Sequence, residues 1–320
     1  MSTELRVVRA AEVAERPSDE TAWLIEGLWG AGAVGVIGGS PKSGKTWMAL
    51  DMAVAVASGR PCLGRYAVPR PGPALVYAAE DAPLSVRERL EHLAGARGAD
   101  FVSLDVGLIV EPSLRLDRGE HVARLRATLA RRRPRLLVLD PYVRLQSADE
   151  NNATEVSAIL STLRELSRAF ACAIALVHHA RKGTGDEPGQ ALRGSSDFYA
   201  WADALLHLRR TREGLVLSIE HRAAASPAPI GLELVTHAGP VRLEVRAVPI
   251  AAIEVPLGER IVELLDQGPR PQTQLRLLLG VRKQTLGDVV RELVSSGRVV
   301  RAADGRLALR EEARVPGSEP

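Results

Sequence analysis

The stretch "GVIGGSPKSGKTWMAL", Gly35 to Leu50, sets small and helix-breaking residues between an apolar run and an apolar helix-like run. Within it Gly39, Ser40, Pro41, Lys42, Ser43, Gly44, Lys45 and Thr46 match G-x-x-x-x-G-K-[ST], and Trp47 follows in the first helical turn. Small residues let successive backbone N–H groups converge on an anion, and the positive end of the following helix adds to their field. In this spacing the Lys45 ammonium reaches the β- and γ-phosphates of a nucleoside triphosphate, and the Thr46 hydroxyl is placed to hold Mg²⁺. The bland alternative, a glycine-rich turn, explains neither the strand before the segment nor the helix after it.

Three further strand ends carry side chains that such a site needs. "LLVLD" closes on Asp140, a carboxylate able to act on the metal as the second Mg²⁺ group. "ALVYAAED" closes on Glu80, where a general base can polarise the attacking water; Asp81 is the neighbouring alternative, and a solvated helix-start carboxylate the structural one. "ALVHHARK" ends in His178 and His179, one of which can hydrogen-bond the γ-phosphate. Adjacent strand residues point to opposite faces, so only one of the two is expected to face the nucleotide.

These groups must be positioned by strands whose C-terminal ends meet, as in open α/β sheets. Short apolar runs predict strands over 33–39, 74–80, 136–140, 172–179, 204–210 and 215–221. Amphipathic segments predict helices over 45–58, 83–94, 119–132 and 153–169, the first closed by Gly59 and Pro61. Near-continuous apolar strands between such helices predict a parallel sheet covered on both faces. The last two strands, joined at "TREG", are expected to pair antiparallel and extend one edge.

The segments "WLIEGLWGAGAVGVIGGSPKSGKTWMALDMAVAVASGRP", "LVYAAEDA", "LLVLDPYVRLQSADENN", "LVHHARKG" and "LRGSSD" resemble the RecA-like P-loop ATPase core, in particular that of RepA-like hexameric replicative helicases. The resemblance covers about residues 21–235. It implies ATP and Mg²⁺ as cofactors, Glu80 as catalytic glutamate, Asp140 as second Mg²⁺ ligand, and His178 or His179 as phosphate sensor. It further implies a homo-oligomeric ring, a hexamer in that family, and single-stranded DNA touched by the loop 181–196, where Arg181, Lys182 and Arg193 are the candidate phosphate contacts; the alternative is a plain surface loop, for which Asp186 and Glu187 argue. The family ends its core in a basic pair K-x-R that reaches the neighbouring subunit's nucleotide. Here "IEHRAAASP" supplies Arg222 at the arginine position, while Glu220 replaces the lysine; Arg209 and Arg210 are the other finger candidates. The sequence has no N-K-x-D for guanine and no L-S-G-G-Q signature. A small-molecule P-loop kinase would need neither Glu80 nor Arg222.

Composition bounds the rest. The 320 residues are 46% hydrophobic with net charge +3, a globular chain rather than a polycation. Cys62 and Cys172, far apart, read as buried thiols of a reduced, cytoplasmic protein. The N-terminus lacks a signal-type apolar core, and no run approaches the roughly 18 residues that span a bilayer. The domain reading is an arm at 1–20, a RecA-like ATPase domain at 21–250, a winged helix-turn-helix at 256–310 and a flexible tail at 311–320. The last domain rests on three helical patterns followed by a hairpin around Asp304-Gly305. Gly258 to Arg310 holds ten Lys/Arg against six Asp/Glu, a local +4. Arg282, Lys283, Gln284 and Thr285 open the third helix, where duplex DNA would be read; winged helices also serve as protein-binding modules.

Overall fold

The computed structural model describes residues 8–12, 22–146, 153–179, 196–211, 214–237, 239–246, 257–281, 283–302 and 304–310. These fall into two compact units, one ending at Arg246 and one beginning at Leu257. The loop 181–195, the linker, Arg282 and the tail lie outside the described residues.

The first unit opens with a short hairpin, β1 (Trp23–Ile25) and β2 (Trp29–Gly30), and then runs through β3 (Val34–Gly39), α1 (Lys45–Ser58), β4 (Ala74–Ala78), α2 (Pro83–Ala96), β5 (Val106–Leu108), α3 (Gly119–Arg132) and β6 (Leu136–Asp140). It continues with α4 (Ala153–Phe170), β7 (Ala173–His179), α5 (Ser196–Trp201), β8 (Ala204–Thr211), β9 (Gly214–His221), β10 (Ile230–Val235) and β11 (Arg242–Arg246). Nine strands form one sheet in the order β11-β10-β9-β8-β3-β7-β6-β4-β5. From β8 to β5 every pairing is parallel; β9, β10 and β11 add an antiparallel extension. The four helices expected from periodicity are present, as is the β8–β9 hairpin at "TREG". Gly59 ends α1 in the left-handed conformation at φ 71°, which glycine adopts at least steric cost.

Because strand side chains alternate, each strand feeds two cores. Leu136 and Val138 of β6, with Ala173, Ala175 and Val177 of β7, pack against α1 and α2. Leu137 and Leu139, with Ile174 and Leu176, pack against α3, α4 and α5. Both faces are thus covered, which is why these strands read as unbroken apolar runs. The middle of α1 is fixed by Asp51, fully buried, whose carboxylate accepts from Leu63 N at 2.6 Å and from Arg97 Nε at 3.1 Å. Cys62 and Cys172 are both buried free thiols.

The second unit holds α6 (Leu257–Asp266), α7 (Gln272–Leu279), α8 (Lys283–Ser295) and the antiparallel pair β12 (Val299–Arg301) and β13 (Leu307–Leu309). Leu286, Val289, Val290 and Leu293 of α8 close a separate core with Ile261, Leu265, Leu275 and Leu307. Lys283 and Gln284 are exposed at the start of α8. Among the described residues no helix is long and apolar enough to cross a membrane.

Candidate functional site

The loop after β3 is shaped by contacts that leave no spare room. A Cβ on Gly39 would lie 2.2 Å from Leu208 O on β8 and 2.8 Å from Ser43 Oγ, and the residue sits at φ 149°. Glycine is therefore the residue that lets β3 keep both its neighbour β8 and the tight turn that follows. Lys45 curls back into this turn and donates to Gly39 O at 3.0 Å and Ser40 O at 2.7 Å. Ser43 Oγ is buried with no hydrogen-bond partner among the described residues. An ammonium, an orphaned hydroxyl and the N-terminus of a 14-residue helix converge there, a donor set that fits phosphate oxygens.

The turn opens into a cavity of about 420 Å³ lined on one side by Lys42, Gly44, Thr46 and Trp47. Glu80, Asp81, Asp140 and His179 close it from the ends of β4, β6 and β7; Arg89, Arg210, Leu215 and Leu234 complete the wall. The Thr46 hydroxyl donates to Asp140 Oδ2 at 2.7 Å. Burial pushes the Asp140 carboxyl up to about 6; the Thr46 hydrogen bond and Lys45 charge pull it down, and Asp81 and Glu80 add to the rise. Burial likewise pulls the Lys45 ammonium down to about 8, against the attraction of Asp140. Among the described residues no group of three or more His, Cys, Asp or Glu is fit to hold a metal. An Mg²⁺ here would use Thr46 and Asp140 and draw the rest of its shell from phosphate and water oxygens, the usual habit of that ion.

The two histidines separate as the alternation requires. His179 lines the cavity, on the α1 side with Asp140. His178 turns to the opposite face, where its ring stacks on Phe198 at 4.5 Å and meets Tyr142 edge-on at 5.9 Å. Of the two carboxylates after β4, Glu80 Oε1 accepts from Arg144 Nε at 2.9 Å, whereas Asp81 is held by Arg89 through bonds of 2.7 and 3.0 Å.

The arginines divide as well. Arg210 donates to Lys42 O at 3.0 Å and sits on the wall of its own chain's cavity. This contact places Arg210 beside its own chain's phosphate-binding loop. Arg222 lies at the other end of the hairpin: its backbone N–H bonds Asp203 O, and Asp203 N bonds Val34 O at the start of β3. Five residue steps of β3, about 17 Å at strand spacing, separate that end from Gly39. The Arg222 guanidinium pairs with Asp203 at 3.5 Å and donates to Ala200 O. Reading the sequence missed Arg89, Leu215 and Leu234 on the cavity wall, and the Arg144 partner of Glu80; only tertiary folding brings them to these places.

Residues 2–185 match the AAA domain family. The chain belongs to that family. Its first unit shares the fold of RecA-like ATPase domains. One solved ATPase domain aligns with a TM-score of 0.50 at 15% identity, over 66% of this chain and 84% of that one. A DnaB-like replicative helicase, solved with attention to its interactions with primase, aligns with a TM-score of 0.51 at 14% identity over 66% of this chain. The present chain spans 57% of the length of that helicase. RecA-like P-loop architecture, expected from the five sequence segments, is thus the fold of the core.

Proposed function

We propose that this AAA-domain protein hydrolyses ATP and that the hydrolysis drives an action on DNA, as in replicative helicases. One observation carries the reading: Thr46, Glu80, Asp140 and His179, drawn from four segments, line one cavity at the C-terminal ends of the parallel strands, and Lys45 is folded into the turn that opens on it. In the proposed reaction Lys45 leaves the carbonyls of Gly39 and Ser40 for the β- and γ-phosphates. Glu80 takes a proton from the water that attacks the γ-phosphorus, and His179 hydrogen-bonds the γ-phosphate. Bound Mg²⁺, held by Thr46 and Asp140, would neutralise phosphate charge.

On this reading the chain works as a homo-oligomeric ring, with Arg222 offered to a neighbouring subunit. Single-stranded DNA meets the segment 181–196, and duplex DNA meets the basic α8 end at Lys283, Gln284 and Thr285 of a winged-helix module. Four features support it: the family membership, the helicase-type fold of the neighbours, the exposed Lys283 and Gln284, and the local +4 charge. Steady-state ATP turnover of the full chain, with and without DNA, is the test. Turnover that DNA stimulates and that Glu80→Gln lowers by about 10²-fold or more is the expected result. ATP binding without turnover would replace the motor with a nucleotide-switched DNA-binding regulator.

A further inference from the structure

We infer that Arg144 is a positioning residue for the Glu80 carboxylate, holding the base in line for its proton transfer. The inference rests on the proposed role of Glu80 and goes beyond it. Glu80 stands in a bend just after β4, about half exposed, with its neighbour Ala79 N–H bonded to Asp140 O at 2.8 Å. Its backbone is thus fixed to the strand that ends in Asp140, but its side chain has three torsions of its own to be held. A general base in that situation needs an orienting partner.

Arg144 is built as such a partner. It ends the single 3-10 turn Tyr142–Arg144 that follows Asp140 and Pro141. The turn is clamped from several directions. The Arg115 guanidinium donates to Arg144 O and, at 2.9 Å, to Gln146 O. Leu116 N bonds Leu145 O at 2.6 Å, and the hydroxyl of buried Tyr142 donates to Gln146 Oε1 at 2.9 Å. The guanidinium therefore extends from a rigid post, and its Nε takes Glu80 Oε1 while leaving Oε2 for the proton.

The approach direction separates this role from phosphate binding. Glu80 lines two cavities, the nucleotide cavity and a polar cleft of about 360 Å³ that includes Tyr77, Ser113, Arg115 and Arg144. Arg144 lines only the second. It grips the carboxylate from the side away from the phosphates, so it orients the base without competing for ATP. In the step itself a water proton passes to Glu80 Oε2, the water oxygen bonds to the γ-phosphorus, and the bond to the β,γ-bridging oxygen breaks, its electron pair leaving with ADP. Arg144 keeps its proton throughout.

Single-turnover and steady-state kinetics of the full chain test this, with Arg144→Ala, Arg144→Lys and Arg144→Ala combined with Glu80→Gln. We expect Arg144→Ala to lower kcat by about tenfold with KM for ATP unchanged, the scale of a misaligned reacting group. Arg144→Lys should recover part of the loss, and Arg144→Ala should cost nothing further once Glu80 is Gln. A half-exposed ion pair contributes little to stability, so unfolding midpoints should not move. An unchanged or raised kcat, a raised KM alone, or the same loss in the Glu80→Gln background would overturn the inference while leaving the proposed hydrolysis standing. Absence of turnover in the parent protein would overturn both.

Discussion

The Thr46 hydroxyl and the Asp140 carboxylate, 94 residues apart in sequence, are joined by a hydrogen bond of 2.7 Å. The bond ties the first turn of α1 to the end of β6 and aligns the two oxygens that the proposed Mg²⁺ would share. It also concentrates charge in a buried place, and pH should report that. Asp140 is raised to about 6, so in the nucleotide-free protein its carboxylate is lost as pH falls through 6 rather than near 4. Lys45 is lowered to about 8, so its charge is lost as pH rises through 8 rather than above 10. Affinity for Mg-ATP, measured by calorimetry, should peak between those values and fall by at most about tenfold per pH unit on either side. Asp140→Asn should bind more weakly throughout and lose the acid limb while keeping the alkaline one. An acid limb that persists in Asp140→Asn would assign it to another group.

Glu80 and Asp81 are adjacent, yet only Asp81 is gripped by both terminal nitrogens of an arginine. Glu80→Gln should retain ATP binding and lose turnover by about 10²-fold or more, the scale of a positioned general base. Asp81→Asn should hydrolyse ATP within a few-fold of the parent. If the two variants behave the other way round, the base is Asp81.

His179 and His178 make a matched pair for the next experiment. His179→Ala should lose hydrolysis by ~10-fold or more with its unfolding midpoint preserved. His178→Ala should keep most turnover and lose about 1 kcal/mol of stability, the scale of an aromatic stack, read from denaturant unfolding. A stable but inactive His178→Ala would reverse the assignment.

Arg210 and Arg222 should respond differently to mixing. Arg222→Ala subunits mixed with Lys45→Ala subunits should recover turnover, because some interfaces then pair an intact Lys45 site with an intact Arg222 from the other chain. Arg210→Ala mixed with Lys45→Ala should recover none, since Arg210 lines its own chain's cavity. Recovery with Arg210→Ala, or none with Arg222→Ala, would exchange or remove these roles.

Arg97 and Asp51 test the support beneath the site. Their side chains are 8% and 0% exposed, so Arg97→Leu strands a carboxylate in the core under α1. The expected cost is about 3–5 kcal/mol in denaturant unfolding, the usual penalty for halving a buried ion pair. A cost below about 1 kcal/mol would mean that the carboxylate finds water or a proton there.

Much of this was legible in the sequence because it is local. The P-loop carries its own strand, turn and helix signals within one short segment, and the apolar strands of the sheet centre can be read without knowing their partners. The antiparallel edge was harder. The apolar residues of β10 and β11 are interleaved with Glu233, Arg242, Glu244 and Arg246, charges that pair beside or across the strands, as Arg246 does with Glu233 at 2.8 Å. The pairing of Glu80 with Arg144 spans 64 residues and has no local signature at all. The choice between the two histidines was within reach: Asp140 shares the parity of Leu136 and Val138, His179 that of Ala173 and Ala175, and both sets face α1.

That parity has a mechanical side. A single peptide plane separates a ring on the phosphate wall from a ring wedged between Tyr142 and Phe198 on the far face of the sheet. The end of β7 therefore presents one imidazole to each layer of the sheet. On the proposed function, a His179 drawn toward a γ-phosphate would pull on the same peptide that carries the His178 ring packed on Phe198 of α5.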